Sequence, residues 1–126
     1  MALLNPGAGE MCDRLTILSL KILAGQEAEK SVSHFVNERN GLLTKLKGRE
    51  LNGAWFESVL QLGAVNAALW ARTDEQRTYL AGISNWQAAA ECGCAIMRLN
   101  DERARLVRQI NELSGDLPKD AGQEKL

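Results

Sequence analysis

Apolar residues recur every three or four positions in four stretches of the chain, the spacing that places them on one face of an α-helix. These stretches cover about residues 8–24, 29–47, 54–80 and 85–113. The two prolines stand at positions 6 and 118, so neither interrupts a predicted helix. β-branched residues are sparse and no hairpin dipeptide separates alternating apolar runs, so we expect no β-sheet.

Turn and capping residues predict where these helices end. Gly25 is expected to stop the first helix. The Asn52-Gly53 pair marks the turn before the third helix. Gly82 and Ser84 predict the end of the third helix and an N-cap for the fourth.

The arrangement of these helices predicts an all-α fold, a compact antiparallel four-helix bundle. The third and fourth helices are long and are expected to form a C-terminal helical hairpin, with the first helix packed across both. The first helix is apolar on two faces, which is typical of a helix covered on both sides. We expect one helical domain over residues 1–114 and a frayed polar tail over residues 115–126.

Eight polar or aromatic residues continue the apolar faces of three helices. They are Asp13 on the first helix, Asn66, Trp70, Asp74 and Arg77 on the third, and Asn100, Arg103 and Asn111 on the fourth. Uncompensated burial of a charge costs several kcal/mol, so the two acids are expected to meet the two arginines, with the asparagines completing the hydrogen bonds. Such a network either fixes helix register or lines a pocket for a small polar ligand, and both interpretations stay open.

Three segments containing these residues carry a resemblance. They read GExxDRLTILxLK over residues 9–21, NxxLWxxxDxxR over residues 66–77 and LNDxRxxLVRxIN over residues 99–111. In this order they resemble uncharacterised bacterial all-α domains of unknown function, some of which lie beside or within glycosyltransferase and surface-polysaccharide regions. The resemblance implies an all-helical fold and a context in surface-polysaccharide metabolism. Ser19 and Thr73 stand where those domains often carry acids, so a metal role that needs those acids is not implied here.

Charge and composition narrow the classes of partner. Lys and Arg number 15 and Asp and Glu 16, so the formal net charge of −1 lacks the basic excess of a nucleic-acid-binding protein. The uncharged stretch over residues 58–71 is too short to span a bilayer. No secretory signal is visible. The cysteines number three, and an odd count is not typical of a disulfide framework. We therefore expect a cytoplasmic protein with neither nucleic acid nor membrane as a partner.

The candidate chemistry is sparse. Cys92 and Cys94 are separated by one residue, with no second cysteine pair or nearby histidine, so we predict no metal site and no cofactor. Acid pairs such as Glu10 and Asp13 are reminiscent of all-α nucleotide pyrophosphatases, in which paired acids hold magnesium. The repeated Glu-x-x-Glu set of such enzymes is missing, and we assign no catalytic residue.

These features favour a non-enzymatic accessory domain that interacts with a protein or binds a small polar ligand. The alternative is a metal-dependent, pyrophosphatase-like enzyme acting on nucleotides. Trp55, Trp70 and Trp86 are large anchors that suit a core or a shared interface, so a homodimer and a monomer are both compatible with the sequence.

Overall fold

The computed structural model of the protein describes residues 6–82 and 85–116, which form four α-helices and no strand. The helices are α1 (Ala8–Glu27), α2 (Ser33–Leu46), α3 (Gly53–Ala81) and α4 (Trp86–Leu113). The predicted all-α class is confirmed, and the way these helices pack is compatible with a bundle. No helix in the described residues is long and apolar enough to cross a membrane.

The end of α1 differs from the prediction. The helix continues past Gly25 to Glu27, and the chain reverses at Glu29, whose φ of 57° lies in the left-handed region. Gly25 serves a different purpose, because a Cβ there would collide with the side chain of Val32 as α2 approaches. The same reversal delays the start of α2 from residue 29 to Ser33.

Asparagine side chains cap the two long helices. Asn52 Oδ1 accepts a hydrogen bond from the backbone N–H of Trp55 at 3.0 Å, and Asn85 Oδ1 accepts one from Ala88 at 3.2 Å. Both satisfy an amide that has no partner inside the first turn. Gly82 follows α3 as predicted, whereas the predicted cap Ser84 lies outside the described residues.

The helices alternate in direction. The ends of the α3–α4 hairpin are marked by hydrogen bonds from Gln109 Nε2 to Ser58 Oγ and from Gln76 Nε2 to the Ala89 carbonyl, so the two helices are antiparallel. The first helix packs against both of them, as predicted. Among the described residues the backbone of α2 lies close to that of α1 alone, on its outer side, where Glu38 accepts two hydrogen bonds from Arg14 at 2.7 and 2.8 Å.

The buried apolar core occupies one end of the bundle. Its members are Ala8, Met11, Cys12, Leu46, Trp55, Leu62, Leu106 and Ile110. They come from the first halves of α1 and α3 and the last third of α4, together with the end of α2. The opposite end of the bundle, where α1 finishes beside the second half of α3, contains fewer buried side chains and is where the cleft described below opens.

The N-terminus of α1 is capped by residues at the other end of the chain. The backbone N–H of Gly9 donates to Asn111 Oδ1 at 2.7 Å, and that of Ala8 donates to Asp116 Oδ2 at 2.7 Å. The Asn111 amide also donates to Glu10 Oε1 at 3.0 Å. Asn111 therefore stabilises a helix terminus, and the prediction that it completes the arginine network is wrong. Asp116 belongs to the predicted tail yet is bonded to the domain, while residues 117–126 lie outside the described residues.

Replacing Asn111 with alanine is expected to lower the free energy of unfolding by about 1–3 kcal/mol. Asn111 is 2% exposed, so its loss leaves the Gly9 amide buried without an acceptor. Asn100→Ala is the matched control, because Asn100 lies on the same helix but is exposed, and its effect is expected within about 0.5 kcal/mol. Urea unfolding of both variants checks the prediction, and equal stabilities would contradict it.

Candidate functional site

Three helices meet at the carboxylate of Asp13. Arg103 Nε and Nη2 donate to its two oxygens at 2.8 and 2.6 Å, a two-point pairing across the α1–α4 interface. Asn66 on α3 donates to Asp13 Oδ1 at 2.9 Å. The Asp13 side chain is 16% exposed and that of Arg103 35% exposed, so the pair lies at the boundary between core and solvent. Three of the eight predicted residues are thus directly bonded.

A threonine completes this cluster. The Asn66 amide also donates to Thr16 Oγ1 at 2.8 Å, and that hydroxyl donates to the backbone carbonyl of Asp13 at 2.8 Å. Within the described residues no buried side-chain nitrogen or oxygen lacks a partner. Thr16 was not predicted, although it stands one helical turn after Asp13 and so had the spacing to be found.

Asn66 and Arg103, both bonded to Asp13, form the floor of a cleft between α1, α3 and α4 with a volume of about 350 Å³. The lining residues are Ile17, Leu20 and Lys21 from α1, Asn66, Leu69, Trp70, Thr73, Asp74 and Arg77 from α3, and Arg103 from α4. Five of the eight predicted residues therefore face one space. The lining residues of α1, which are Ile17, Leu20 and Lys21, follow Asp13 along the helix and were not predicted as site residues from the sequence.

Asp74 and Arg77 stand at the cleft but do not join its floor. Arg77 Nη1 donates to Asp74 Oδ1 at 3.2 Å within one turn of α3, and the two side chains are 76% and 59% exposed. The prediction that Asp74 and Arg77 share an internal network with Asp13 and Arg103 is wrong. Both charges stay in water, so neither needs a buried partner.

Asn100 also lies outside the cluster. Its side chain is exposed, and it forms no hydrogen bond with the part of the chain that the structure describes. Asn111 shares the helix face of Arg103 but lies eight residues further along, about 12 Å at 1.5 Å per residue. A shared face therefore did not bring these three residues of α4 to one place.

The charges of the cleft do not cancel. Lys21, Arg77 and Arg103 are opposed by the two acids Asp13 and Asp74, which leaves one net positive charge. The hydrogen bonds from Arg103 to Asp13 raise the pKa of the guanidinium above its ordinary value, so Arg103 stays charged. The Lys21 ammonium lies 5.6 Å from the ring centre of Phe35 on α2, so its charge stands at the edge of the cleft on the side of α2. A small anion is the charge complement of this space.

A second depression, of about 410 Å³, lies on the α3–α4 hairpin away from this cleft. There Glu75 accepts hydrogen bonds from Arg72 at 3.1 Å and Tyr79 at 3.2 Å. Its two arginines, Arg72 and Arg98, are matched by Glu75 and Glu91. Because these charges balance, the cleft above Asp13 is the stronger candidate for a ligand site.

The cysteines are not arranged for nucleophilic or metal chemistry. Cys92 is buried and donates to the Arg72 carbonyl at 3.0 Å, while Cys94 is exposed. Burial raises the pKa of the Cys12 thiol to about 12, and burial together with the Glu75 hydrogen bond raises that of Cys92. Neither buried thiol is therefore ionised at neutral pH.

The acids considered for magnesium already have other partners, and Glu10 accepts a hydrogen bond from Asn111. Asp13 pairs with Arg103, and Asp74 pairs with Arg77. Among the described residues no group of three or more His, Cys, Asp or Glu side chains is placed to hold a metal ion. The donor set therefore suits recognition of an anion better than coordination of a cation.

A scan against models of known protein families found no match, and comparisons with curated proteins and with solved structures found no similar protein.

Proposed function

We propose that this protein is a non-enzymatic accessory domain that binds a small polar anion in the cleft between α1, α3 and α4. The observation that carries the proposal is the net positive charge above a floor already held in place by Asp13 and Asn66. Because Arg103 is fixed by two hydrogen bonds before any ligand arrives, little ordering is needed on binding.

The lining offers unused donors to such a ligand. Arg77 uses one of its five N–H groups on Asp74, which leaves four for a ligand. A phosphate or carboxylate accepts charge-assisted hydrogen bonds from a guanidinium. Trp70, 37% exposed, presents an indole against which a sugar or a base can pack. A volume near 350 Å³ lies in the range of small-molecule sites.

The resemblance to bacterial domains near surface-polysaccharide regions supplies the proposed context. Sugar phosphates and nucleotide sugars are anions that belong to that metabolism and present both a phosphate and a polar ring. The free thiols of Cys12, Cys92 and Cys94 are in keeping with the reducing bacterial cytoplasm that we propose as the compartment.

We also propose a homodimer as the second, interaction-based role. Phe56 and Leu60 are 59% and 58% exposed and lie one turn apart on the outer surface of α3. Exposed apolar neighbours of this kind are typical of contact surfaces. Sedimentation measurements on the wild type and on Leu60→Gln distinguish a dimer formed there from a monomer.

Arg77→Gln is expected to weaken binding of a phosphate-containing ligand about tenfold, because it removes the excess positive charge and a charged donor. Isothermal titration calorimetry with glucose 1-phosphate, UDP and UDP-glucose, each with and without magnesium, measures the effect, and glucose serves as the uncharged comparison. Arg108→Gln is the matched control, since Arg108 is exposed and does not line the cleft. Its affinity is expected to equal that of the wild type.

Asp74→Asn provides the opposite change. It removes one acid from the cleft and is expected to tighten binding of the same anions severalfold. Absence of binding by every anion, or equal loss in Arg77→Gln and Arg108→Gln, would overturn the proposal. Magnesium-dependent binding of a nucleotide accompanied by its hydrolysis would establish the enzymatic alternative instead.

A further inference from the structure

An apolar groove continues from the cleft along α1 and α3. It has a volume of about 220 Å³ and is lined by Leu20, Leu23, Ala24, Glu27, Ala67, Trp70 and Ala71. Leu20 and Trp70 line both spaces, so the cleft and the groove adjoin at these two side chains. Leu23 is 57% exposed and so presents apolar surface to solvent at the side of the groove.

The cleft and the groove differ in the charge of the residues that line them. The cations Lys21, Arg77 and Arg103 all line the cleft, whereas no Lys or Arg among the described residues lines the groove. In the part of the chain that the structure describes, Glu27 is the one charged residue of the groove, and it would repel an anion. A ligand that spans both spaces must therefore place its negative charge in the cleft and an uncharged apolar part in the groove.

Resting on the proposed anion-binding function, we propose that the ligand is an anionic amphiphile: a phosphate-bearing head in the cleft and a hydrocarbon chain along the groove between α1 and α3. The groove walls are leucine, alanine and tryptophan side chains, which offer no hydrogen-bond donor along most of their length to a polar group. A single molecule fits this trough better than a bilayer surface does, because the net charge of −1 provides no general attraction to anionic lipids.

Titration of the wild-type protein with methyl, butyl, hexyl and octyl phosphate, followed by NMR below the micelle concentration, tests the proposal. A fully buried methylene is worth about fourfold in affinity, and burial on one side in an open groove about twofold. We expect octyl phosphate to bind about 100-fold more tightly than methyl phosphate.

Ala67→Gln places a polar side chain in the groove and leaves the cleft unchanged. The matched control is Ala64→Gln, one turn earlier on the exposed surface of α3 and outside both spaces. Glutamine is a good helix former, so both variants are expected to fold. Ala67→Gln is expected to reduce the gain from methyl to octyl phosphate at least tenfold without changing methyl phosphate affinity, whereas Ala64→Gln keeps the full gain.

The outcomes separate this inference from the proposed function. Equal affinities for methyl and octyl phosphate overturn the amphiphile and leave anion binding intact. A gain with chain length that Ala67→Gln and Ala64→Gln share also overturns it, because the chain then lies elsewhere. Failure of every alkyl phosphate to bind, together with failure of the sugar phosphates, overturns both proposals.

Discussion

Replacing Arg103 with methionine is expected to lower the free energy of unfolding by about 2–4 kcal/mol. Removing one partner of a fully buried ion pair costs about 3–5 kcal/mol, because the remaining charge is left without compensation. Asp13 is 16% exposed, and Arg103 at 35% is partly hydrated, so the expected loss is somewhat smaller. Chemical unfolding in urea measures it.

Two further variants isolate the pair. The double variant Asp13→Asn with Arg103→Met removes both charges and is expected to recover part of the loss. Arg105→Met is the matched control, because Arg105 forms an exposed ion pair with Glu102 on the same helix at 2.6 Å. Its loss is expected to stay below about 1 kcal/mol. A change below about 0.5 kcal/mol in Arg103→Met would show that the contact with Asp13 contributes little to stability.

Replacing Gly9 with alanine is expected to destabilise the protein by about 2–4 kcal/mol or to prevent folding. An added Cβ would overlap the backbone carbonyl of Val107 and lie 2.9 Å from its carbonyl carbon. Backbone atoms of α4 cannot rotate away as a flexible side chain can, so α1 and α4 must separate. Their separation also strains the Asn111 cap and the contact between Asp13 and Arg103.

Two other helical glycines serve as controls for this variant. A Cβ at Gly63 meets Thr16 Cγ2 at an ordinary 3.6 Å, and one at Gly41 meets no atom of the described residues within 4 Å. Alanine is favoured over glycine inside a helix by up to about 1 kcal/mol, so Gly41→Ala is expected to raise stability and Gly63→Ala to leave it unchanged or raise it. Thermal unfolding compares the three, and a Gly9→Ala protein as stable as Gly41→Ala would contradict the close approach of α1 and α4.

The helices were predictable because their apolar spacing is a property of the local chain. All four exist, and the two long ones begin and end within a residue of the prediction. The errors lie at Gly25 and at the start of α2, where the left-handed conformation of Glu29 sets the turn. Nothing in the residue type of a glutamate predicts that conformation, which follows from how α2 packs against α1.

Part of the candidate site was also predictable. The positions of Asp13, Asn66 and Arg103 on otherwise apolar faces indicated that these polar groups need one another, and the structure brings them together. Asp74 was expected in the same cluster, but it stays in water beside Arg77. The helical period predicts in which direction a side chain points from the helix axis. It does not predict whether another helix packs on that side and buries the side chain.

By itself the sequence determined the all-α class, the four helices and the residue types that can form a polar cluster, because these depend on periodicity and on the cost of burying charge. Only the tertiary structure decided which residues meet. It placed Asn111 at the start of α1, brought Thr16 to Asn66, and set Lys21 beside the cleft. The reason is that two residues on one helix face can be far apart along the helix axis. Which of them contacts a neighbouring helix depends on how the two helices are placed relative to each other.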